Sequence, residues 1–277
     1  MTKRSSKSDD VSQIQAIDVH GHYGIYYQVR ILPLKNTFMT GDAATVVDRA
    51  RRSNTEWTIV SPLMALMPRF KADAVAGNEE AARVVPQTDG LLQWVVINPL
   101  QPKTYEQAEV MLRHPRCMGI KIHPEEHGYP VKEHGRAMFE FAQKHKAIVL
   151  THSGEENSMP EDFIPFTNDF PGARLILAHL GCGWDGDPTH QVRAIQASKH
   201  GNVWVDTSSA QSILPKLIEW AVSEIGVERL LYGTDTPLYV AAMQRARIDH
   251  AEISAGEKRM ILRENSLKLF GSLLPKK

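Results

Sequence analysis

The sequence lacks three features that mark large classes of protein: abundant cysteine, a surplus of charge and long apolar runs. Cys117 and Cys182 are the only cysteines among 277 residues, which excludes a disulfide framework and favours a reducing, cytoplasmic compartment. Lys plus Arg and Asp plus Glu number 32 each, so no charge surplus attracts nucleic acid or anionic lipid. No run approaches the roughly 18 apolar residues of a membrane helix. We therefore expect a globular protein without nucleic-acid or membrane partners.

Catalytic motifs, repeats and linkers are also absent, which limits the possible reactions and the possible number of domains. The chain has no phosphate-binding glycine loop and no Gly-x-Ser-x-Gly motif, so serine nucleophile chemistry is not indicated. It also has no internal repeat, low-complexity stretch or Pro/Gly/Ser linker that would divide it. Residues 1–13 are polar and mix both signs of charge, and we interpret them as a disordered tail. We expect residues 14–277 to form a single domain.

Leu-rich and β-branched runs alternate with segments of helical pattern along the chain. Helical patterns cover Ala43 to Ser53, Thr104 to Arg113 and Glu133 to Lys146, among others. The predicted strands start near Gln15, Trp57, Leu91, Met118, Ala147, Arg174, Val203 and Leu230. This alternation predicts the α/β class and, within it, a (β/α)₈ TIM barrel. The alternative is a doubly wound open sheet, which would normally show a glycine-rich turn after its first strand, where this chain has His20-Gly21-His22.

Twelve histidines stand out in this ordinary composition, and several of them fall at predicted strand ends. His20 and His22 end the first strand and share one face, about 6.6 Å apart at Cα, so that their imidazoles can converge on one cation. His152, His179 and Asp235 end strands five, six and eight. Packing rarely places so many polar groups at the mouth of an apolar barrel, because buried polar groups are costly unless partnered. The set predicts a metal site at the carboxyl ends of the strands.

Other polar residues leave alternatives open. Lys121 and His123 share a face at the end of strand four. Lys121 either pairs with a nearby carboxylate or belongs to the site, and His123 either belongs to the site or positions a loop. Asp206 on strand seven could orient a ligand histidine. The remaining histidines are assigned to the surface, with His127 and His190 set apart because they lie in loops after strands: His114, His127, His134, His145, His190, His200 and His250.

Two connections are longer than a barrel needs. Residues 23–42 and 62–77 both follow strands, so both would lie on the carboxyl face where barrel active sites are found. These loops carry apolar and aromatic residues together with Arg30 and Arg69. Such loops serve as lids, as walls that bind an anionic or aromatic substrate, or as subunit contacts. A homo-oligomer is therefore one expectation.

Taken together, the polar strand ends resemble the motifs of the amidohydrolase superfamily. The matching motifs are Asp18-x-His20-x-His22, Gly119-x-Lys121-x-His123-Pro124, Thr151-His152-Ser153-Gly154, Ala178-His179-Leu180-Gly181 and Tyr232-Gly233-Thr234-Asp235-x-Pro237. More narrowly, the chain looks like the amidohydrolase-related branch that contains aminocarboxymuconate semialdehyde decarboxylase and resorcylate decarboxylase. The segment from Ile261 to Phe270 resembles the closing helix of that branch. The resemblance extends from about Ile17 to Phe270, and its motifs occur in the family's order.

The resemblance implies a distorted (β/α)₈ barrel that holds a divalent metal ion, usually zinc, with manganese as the other candidate. Its ligands would be His20, His22, His152 and Asp235. His179 would lie beside the metal, where it polarises the substrate or acts as an acid and base. In binuclear relatives a carboxylated lysine on strand four bridges two metals, and Lys121 occupies a comparable place, although the decarboxylase-like branch is generally mononuclear.

These groups lead to the hypothesis of a metal-dependent hydrolase that cleaves an ester, lactone or amide bond in a small molecule. Asp235 would take a proton from a metal-activated water, His179 would stabilise the developing oxyanion, and Lys121 would do likewise or bind a substrate carboxylate. The alternative is a metal-dependent decarboxylase, a carbon–carbon lyase acting on a small unsaturated or aromatic carboxylate, because fold and ligands are shared. A third interpretation, a non-catalytic barrel scaffold, predicts a broken ligand set.

Overall fold

The computed structural model describes residues 10–209 and 213–275, which contain eight parallel strands in one sheet. The strands are β1 (Ala16–Tyr23), β2 (Thr55–Pro62), β3 (Leu91–Val96), β4 (Cys117–Ile122), β5 (Ile148–Thr151), β6 (Arg174–Leu177), β7 (Val203–Asp206) and β8 (Leu230–Leu231). Each strand pairs with the next in sequence order, from β1 with β2 to β7 with β8.

The two edges of the sheet meet through backbone hydrogen bonds beyond the end of β8. The amide of Val19 donates to the carbonyl of Tyr232 at 2.9 Å, and the amide of Asp235 donates to the carbonyl of His20 at 2.7 Å. These bonds nearly close the sheet into a cylinder. The predicted (β/α)₈ TIM barrel is therefore confirmed, and the doubly wound open sheet is excluded.

Helices alternate with the strands and cover the outside of the barrel. They are α1 (Pro33–Phe38), α2 (Ala43–Arg52), α3 (Ala74–Val84), α4 (Lys103–Met111), α5 (Pro124–His127), α6 (Val131–His145), α7 (Pro160–Asp169), α8 (His190–Ala197), α9 (Leu217–Ile225), α10 (Ala241–Asp249), α11 (Ala255–Arg259) and α12 (Asn265–Phe270). Helix α2 shows how the local sequence determines where a helix begins and which face it buries. The carboxylate of Asp42 caps it by accepting from the amide of Thr45 at 2.8 Å, and Val46, Val47 and Ala50 form its buried stripe.

The core has two layers, as both faces of a parallel sheet require. The barrel interior holds alternate strand residues such as Val19, Ile59 and Trp94, and Phe270 of α12 packs against this layer. The other strand face packs against the helices. Each large apolar side chain buried in this way contributes about 1.5–3 kcal/mol to stability. This apolar frame holds the polar groups that follow the strands.

Several strands end earlier than the sequence pattern predicts. In the last four, the strand-like pattern runs to Ser153, Leu180, Ser208 and Thr234, but β5, β6, β7 and β8 end at Thr151, Leu177, Asp206 and Leu231. The chain leaves the extended conformation there, since His179 and Asp235 both have a positive φ, at 71° and 57°. The predicted site residues therefore lie just beyond the strands.

The amino-terminal segment is described from Asp10 onward. Of the predicted tail, residues 1–9 lie outside the described residues. Val11–Gln13 form a 3₁₀ turn capped by Asp10, and the guanidinium of Arg245 donates to the carbonyl of Val11 at 2.8 Å. Within the parts of the chain that the structure covers, no helix has both the length and the apolar character that crossing a membrane requires.

Candidate metal centre

The most compact group of potential metal ligands joins β1 to the segment after β8. Oδ1 of Asp235 lies 3.0 Å from Nε2 of His22 and 3.6 Å from Nε2 of His20. All three side chains are buried. The convergence of His20 and His22 expected from their spacing on one strand is thus present, with a carboxylate between them.

In both histidines the ring nitrogen that points away from Asp235, Nδ1, lies close to a hydrogen-bond acceptor. Nδ1 of His20 lies 2.9 Å from Oδ2 of Asp206, and Nδ1 of His22 lies 3.1 Å from the carbonyl of Ser61. A proton on each Nδ1 leaves the lone pair of Nε2 available, which is the usual arrangement for metal-binding histidine. The predicted contact between Asp206 and a candidate ligand histidine is confirmed.

A hydrogen-bond chain continues from Asp206 to the histidines that follow β5 and β6. The hydroxyl of Ser208 donates to Asp206 and accepts from Nδ1 of His179 at 2.7 Å. Nε2 of His179 in turn lies 3.1 Å from Nδ1 of His152. This direction of donation leaves the lone pair of Nε2 on His152 unused.

His152 is placed beside His179 and does not join the compact group with His20, His22 and Asp235. Its ring stacks on His123 with the centroids 4.3 Å apart. Its Nε2 atom is buried and has no hydrogen-bond partner among the described residues, although Oε2 of Glu155 lies 3.3 Å away. A buried, unsatisfied imidazole nitrogen costs free energy, and a bound cation would satisfy it.

The arrangement fits a divalent metal ion. Metal bonds of about 2.0–2.2 Å place neighbouring ligand atoms about 3.0–3.6 Å apart, and the distances of 3.0 and 3.6 Å from Asp235 to the two histidines match that range. Neutral imidazoles and one carboxylate are ligands that zinc and manganese both accept. His20, His179 and Asp206 form a second compact group, but Asp206 is already occupied by hydrogen bonds.

The electrostatics keep Asp235 ionised and His20 and His179 neutral. Burial would raise the pKa of Asp235, but the surrounding imidazoles of His22, His20 and His179 outweigh burial and hold that pKa far below its ordinary value. Burial lowers the pKa of His20 to about 4 and that of His179 well below its usual range. Asp235 is therefore prepared to act as a base or a ligand.

Lys121 lies at the floor of the site. Its side chain is fully buried at the end of β4, and Nζ is 3.0 Å from Nε2 of His20. Burial lowers the pKa of Lys121 to about 8, so its amine still carries a proton at neutral pH. Lys121 therefore contacts His20, one member of the histidine cluster.

A cavity of about 730 Å³ opens above these groups. Tyr26 and Tyr239 line its walls, and the charged side chains of Arg69, Glu126 and Glu155 also line it. A guanidinium nitrogen of Arg69, in the loop after β2, lies 2.9 Å from Oε1 of Glu126 and 3.6 Å from Oε2 of Glu155. The volume is in the range of pockets that hold small molecules.

Two histidines that we assigned to the surface are buried. His127 donates from Nε2 to the carbonyl of Ala65 at 2.9 Å and thereby ties α5 to the loop after β2. His190 places its two ring nitrogens 2.8 Å from Glu161 and 3.0 Å from Asp185. The surface assignment was wrong for both because loops beyond the strands fold over one another, which local sequence does not report.

Three residues that contact the candidate site were not predicted from the sequence. Ser208 follows Asp206 by two residues and shares its face, so the two-residue period of a strand could have identified it. Ser61 and Glu155 carry no comparable signal. They are recognisable only after the strand ends are brought together.

Solved structures of similar fold cover nearly the whole chain. A 2,6-dihydroxybenzoate decarboxylase from Rhizobium matches with a TM-score of 0.71 at 14% identity, covering 92% of this chain and 98% of its own. A 5-carboxyvanillate decarboxylase from Sphingomonas paucimobilis matches with a TM-score of 0.70 at 13% identity, covering 93% and 99%. A dihydroxybenzoic acid decarboxylase from Polaromonas sp. JS666, with bound manganese and the inhibitor 2-nitroresorcinol, gives 0.69 at 13% identity, covering 92% and 96%. At these identities the likeness concerns the fold.

The sequence itself identifies the family. No curated protein matches it significantly. The family model described as amidohydrolase, however, matches residues 17–272, which include every strand of the barrel and all of the polar strand ends. The chain therefore belongs to the amidohydrolase family.

Proposed function

We propose that this protein is a metal-dependent hydrolase that cleaves an ester, lactone or amide bond in a small molecule. The observation that carries the proposal is the buried carboxylate of Asp235, which lies within 3.6 Å of two imidazole nitrogens at the floor of the cavity. Its low pKa keeps it unprotonated, as a base that activates water must be.

The proposed ligands of the metal are His20, His22, His152 and Asp235. The first two and Asp235 already converge, and the unsatisfied Nε2 of His152 supports the third imidazole. When bound, the ion lowers the pKa of a water and polarises the oxygen of the scissile group. Three imidazoles and one carboxylate suit zinc, whereas the similar decarboxylase from Polaromonas holds manganese, so both metals need testing.

Protein side chains carry out proton transfer, stabilise developing charge and orient the histidines. Asp235 accepts the proton of the attacking water and returns it to the leaving group. Lys121 and His179 both lie next to His20, and the amine of Lys121 stabilises the oxygen on which negative charge develops. Asp206 and Ser208 keep His20 and His179 in the orientations that these roles need.

A second candidate is decarboxylation of a small aromatic or unsaturated carboxylate. The three similar solved structures are all decarboxylases, which favours it. Decarboxylation must deliver a proton to carbon, and the buried amine of Lys121, next to His20, is the candidate acid. We place hydrolysis first because the family model that matches the chain is described as amidohydrolase.

A parallel assay separates the two reactions. Protein loaded with zinc, and separately with manganese, is incubated with a panel of lactones, esters, amides and aromatic carboxylates while acid release and carbon dioxide are both measured. We expect acid release without carbon dioxide. Carbon dioxide from an aromatic carboxylate would contradict hydrolysis and establish decarboxylation. No turnover of any panel compound, with either zinc or manganese, would count against both reactions.

A further inference from the structure

A second cavity, of about 430 Å³, lies beside the larger one that opens above the histidines. Residues of α1, α2, α10 and the segment between β8 and α10 line this outer cavity. Met39, Leu238 and Tyr239 line both cavities, so these three side chains form a shared wall. The volume of the outer cavity is in the range of pockets that hold small molecules.

The outer cavity has a buried end and an open rim. Ser53, Pro237 and Ala241 are buried, whereas Phe38 is 67% exposed and Val240 is 64% exposed. Large apolar side chains at an open rim leave apolar surface in contact with water, and a ligand that covers them is stabilised by the hydrophobic effect. The rim therefore favours a ligand with an apolar body.

A guanidinium without a counter-ion lies near the buried end. Arg49 of α2 is partly buried, and its guanidinium donates a long hydrogen bond, of 3.5 Å, to the carbonyl of Pro237. In the parts of the chain that the structure describes, Arg51 and Arg52 on the same helix each pair with a carboxylate, whereas Arg49 does not. The described residues that line the outer cavity also include no Asp or Glu.

The charge and shape of this guanidinium determine what it can bind. Its planar fork of donors matches a carboxylate, which accepts two parallel hydrogen bonds. Attraction between opposite charges is stronger in a partly buried site than in bulk water. A phosphate dianion would need a second free cation to balance its charge, and Arg52 is already paired. A single carboxylate is therefore the anionic group that fits.

We propose that the outer cavity binds a small monocarboxylate with an apolar body, of the aromatic or short-chain type. Its carboxylate pairs with Arg49 near the buried end, and its apolar body covers Phe38 and Val240 at the rim. The ligand also contacts Leu238 and Tyr239, which follow Asp235 by three and four residues. Occupancy of the outer cavity would therefore hold one wall of the larger cavity in place.

Isothermal titration calorimetry of the full, zinc-loaded chain with 2-naphthoate tests this binding site without using the reaction at the metal centre. We expect a binding event with a dissociation constant below about 1 mM. Arg49→Gln should weaken that event at least about tenfold, because it removes the charged partner of the carboxylate. 2-Naphthamide, which has the same shape without the charge, should bind the wild type more weakly by a similar factor.

Arg51→Gln is the matched control, because Arg51 lies on the same helix, is exposed and does not line the outer cavity. It should leave the affinity for 2-naphthoate unchanged. Neither Arg49 nor Arg51 is buried, so both variants should melt at the temperature of the wild type.

Three outcomes would overturn the proposal. The first is a wild type that does not bind 2-naphthoate below about 1 mM. The second is equal affinity for 2-naphthoate and 2-naphthamide, which would remove the role of the guanidinium. The third is binding that survives Arg49→Gln but is lost when a chelator removes the zinc, which would assign the carboxylate to the metal centre.

Discussion

Replacing Asp235 by Asn is expected to lower kcat by about a thousandfold or more, because the variant lacks both the base and one proposed metal ligand. The substitution should preserve the barrel. Asp235 has a φ of 57°, a conformation that Asn tolerates better than other residues with a side chain. The measurement is turnover of the substrate found in the panel, with circular dichroism and melting temperature as checks on the fold.

Asp169→Asn provides the matched control for that experiment. Asp169 is an exposed carboxylate that pairs with Arg136 on the outside of the barrel, far from the chemistry. Its loss should leave kcat unchanged. Retention of more than a tenth of wild-type turnover by Asp235→Asn would refute the role assigned to that carboxylate.

Replacing Gly154 by Ala is expected to destabilise the protein by about 3 kcal/mol or more. Gly154 follows His152 by two residues and has a φ of 99°. An added Cβ would overlap the carbonyl of Cys182 in the loop after β6. That carbonyl is fixed by the side-chain amide of Gln191, which donates to it at 2.8 Å, so it cannot easily move away. Thermal unfolding of the metal-free protein should show a melting temperature lower by roughly 6–12 °C.

Gly186 separates the effect of contact from that of backbone conformation. It also has a positive φ, at 84°, but a Cβ there would meet nothing within 4 Å. Gly186→Ala should therefore cost only about 1–2 kcal/mol, the usual cost of a left-handed conformation for alanine. Equal losses in the two variants would show that the contact between the loops after β5 and β6 is not close.

Much of the architecture could be predicted from sequence because its signals are local. The alternation of strand and helix patterns predicted the barrel, and the two-residue period of β1 placed His20 and His22 on one face. Each of these predictions needed only the residues of one element and the rule that parallel strands end at one edge of a barrel.

Features that depend on two distant segments could not be predicted in this way. The ring of His152 is held by His179 and His123, which come from two other loops. The pairing of Arg69 with Glu126 joins residues separated by 57 positions. Strand ends were misplaced at His179 and Asp235 because apolar patterning continues through residues whose backbone has already turned. The burial of His127 and His190 follows from the same folding of loops over loops.

Metal stoichiometry is the most direct test of a catalytic metal ion at the carboxyl ends of the strands. The protein is stripped with a chelator, reloaded with zinc or manganese, dialysed and analysed by elemental mass spectrometry. We expect about one tightly held ion per chain in the wild type, as for a mononuclear catalytic site. We expect less than a tenth of that in His20→Ala and no change in His114→Ala, whose side chain is exposed. Trace metal in the wild type, with no activity gained on reloading, would contradict the proposed metal site.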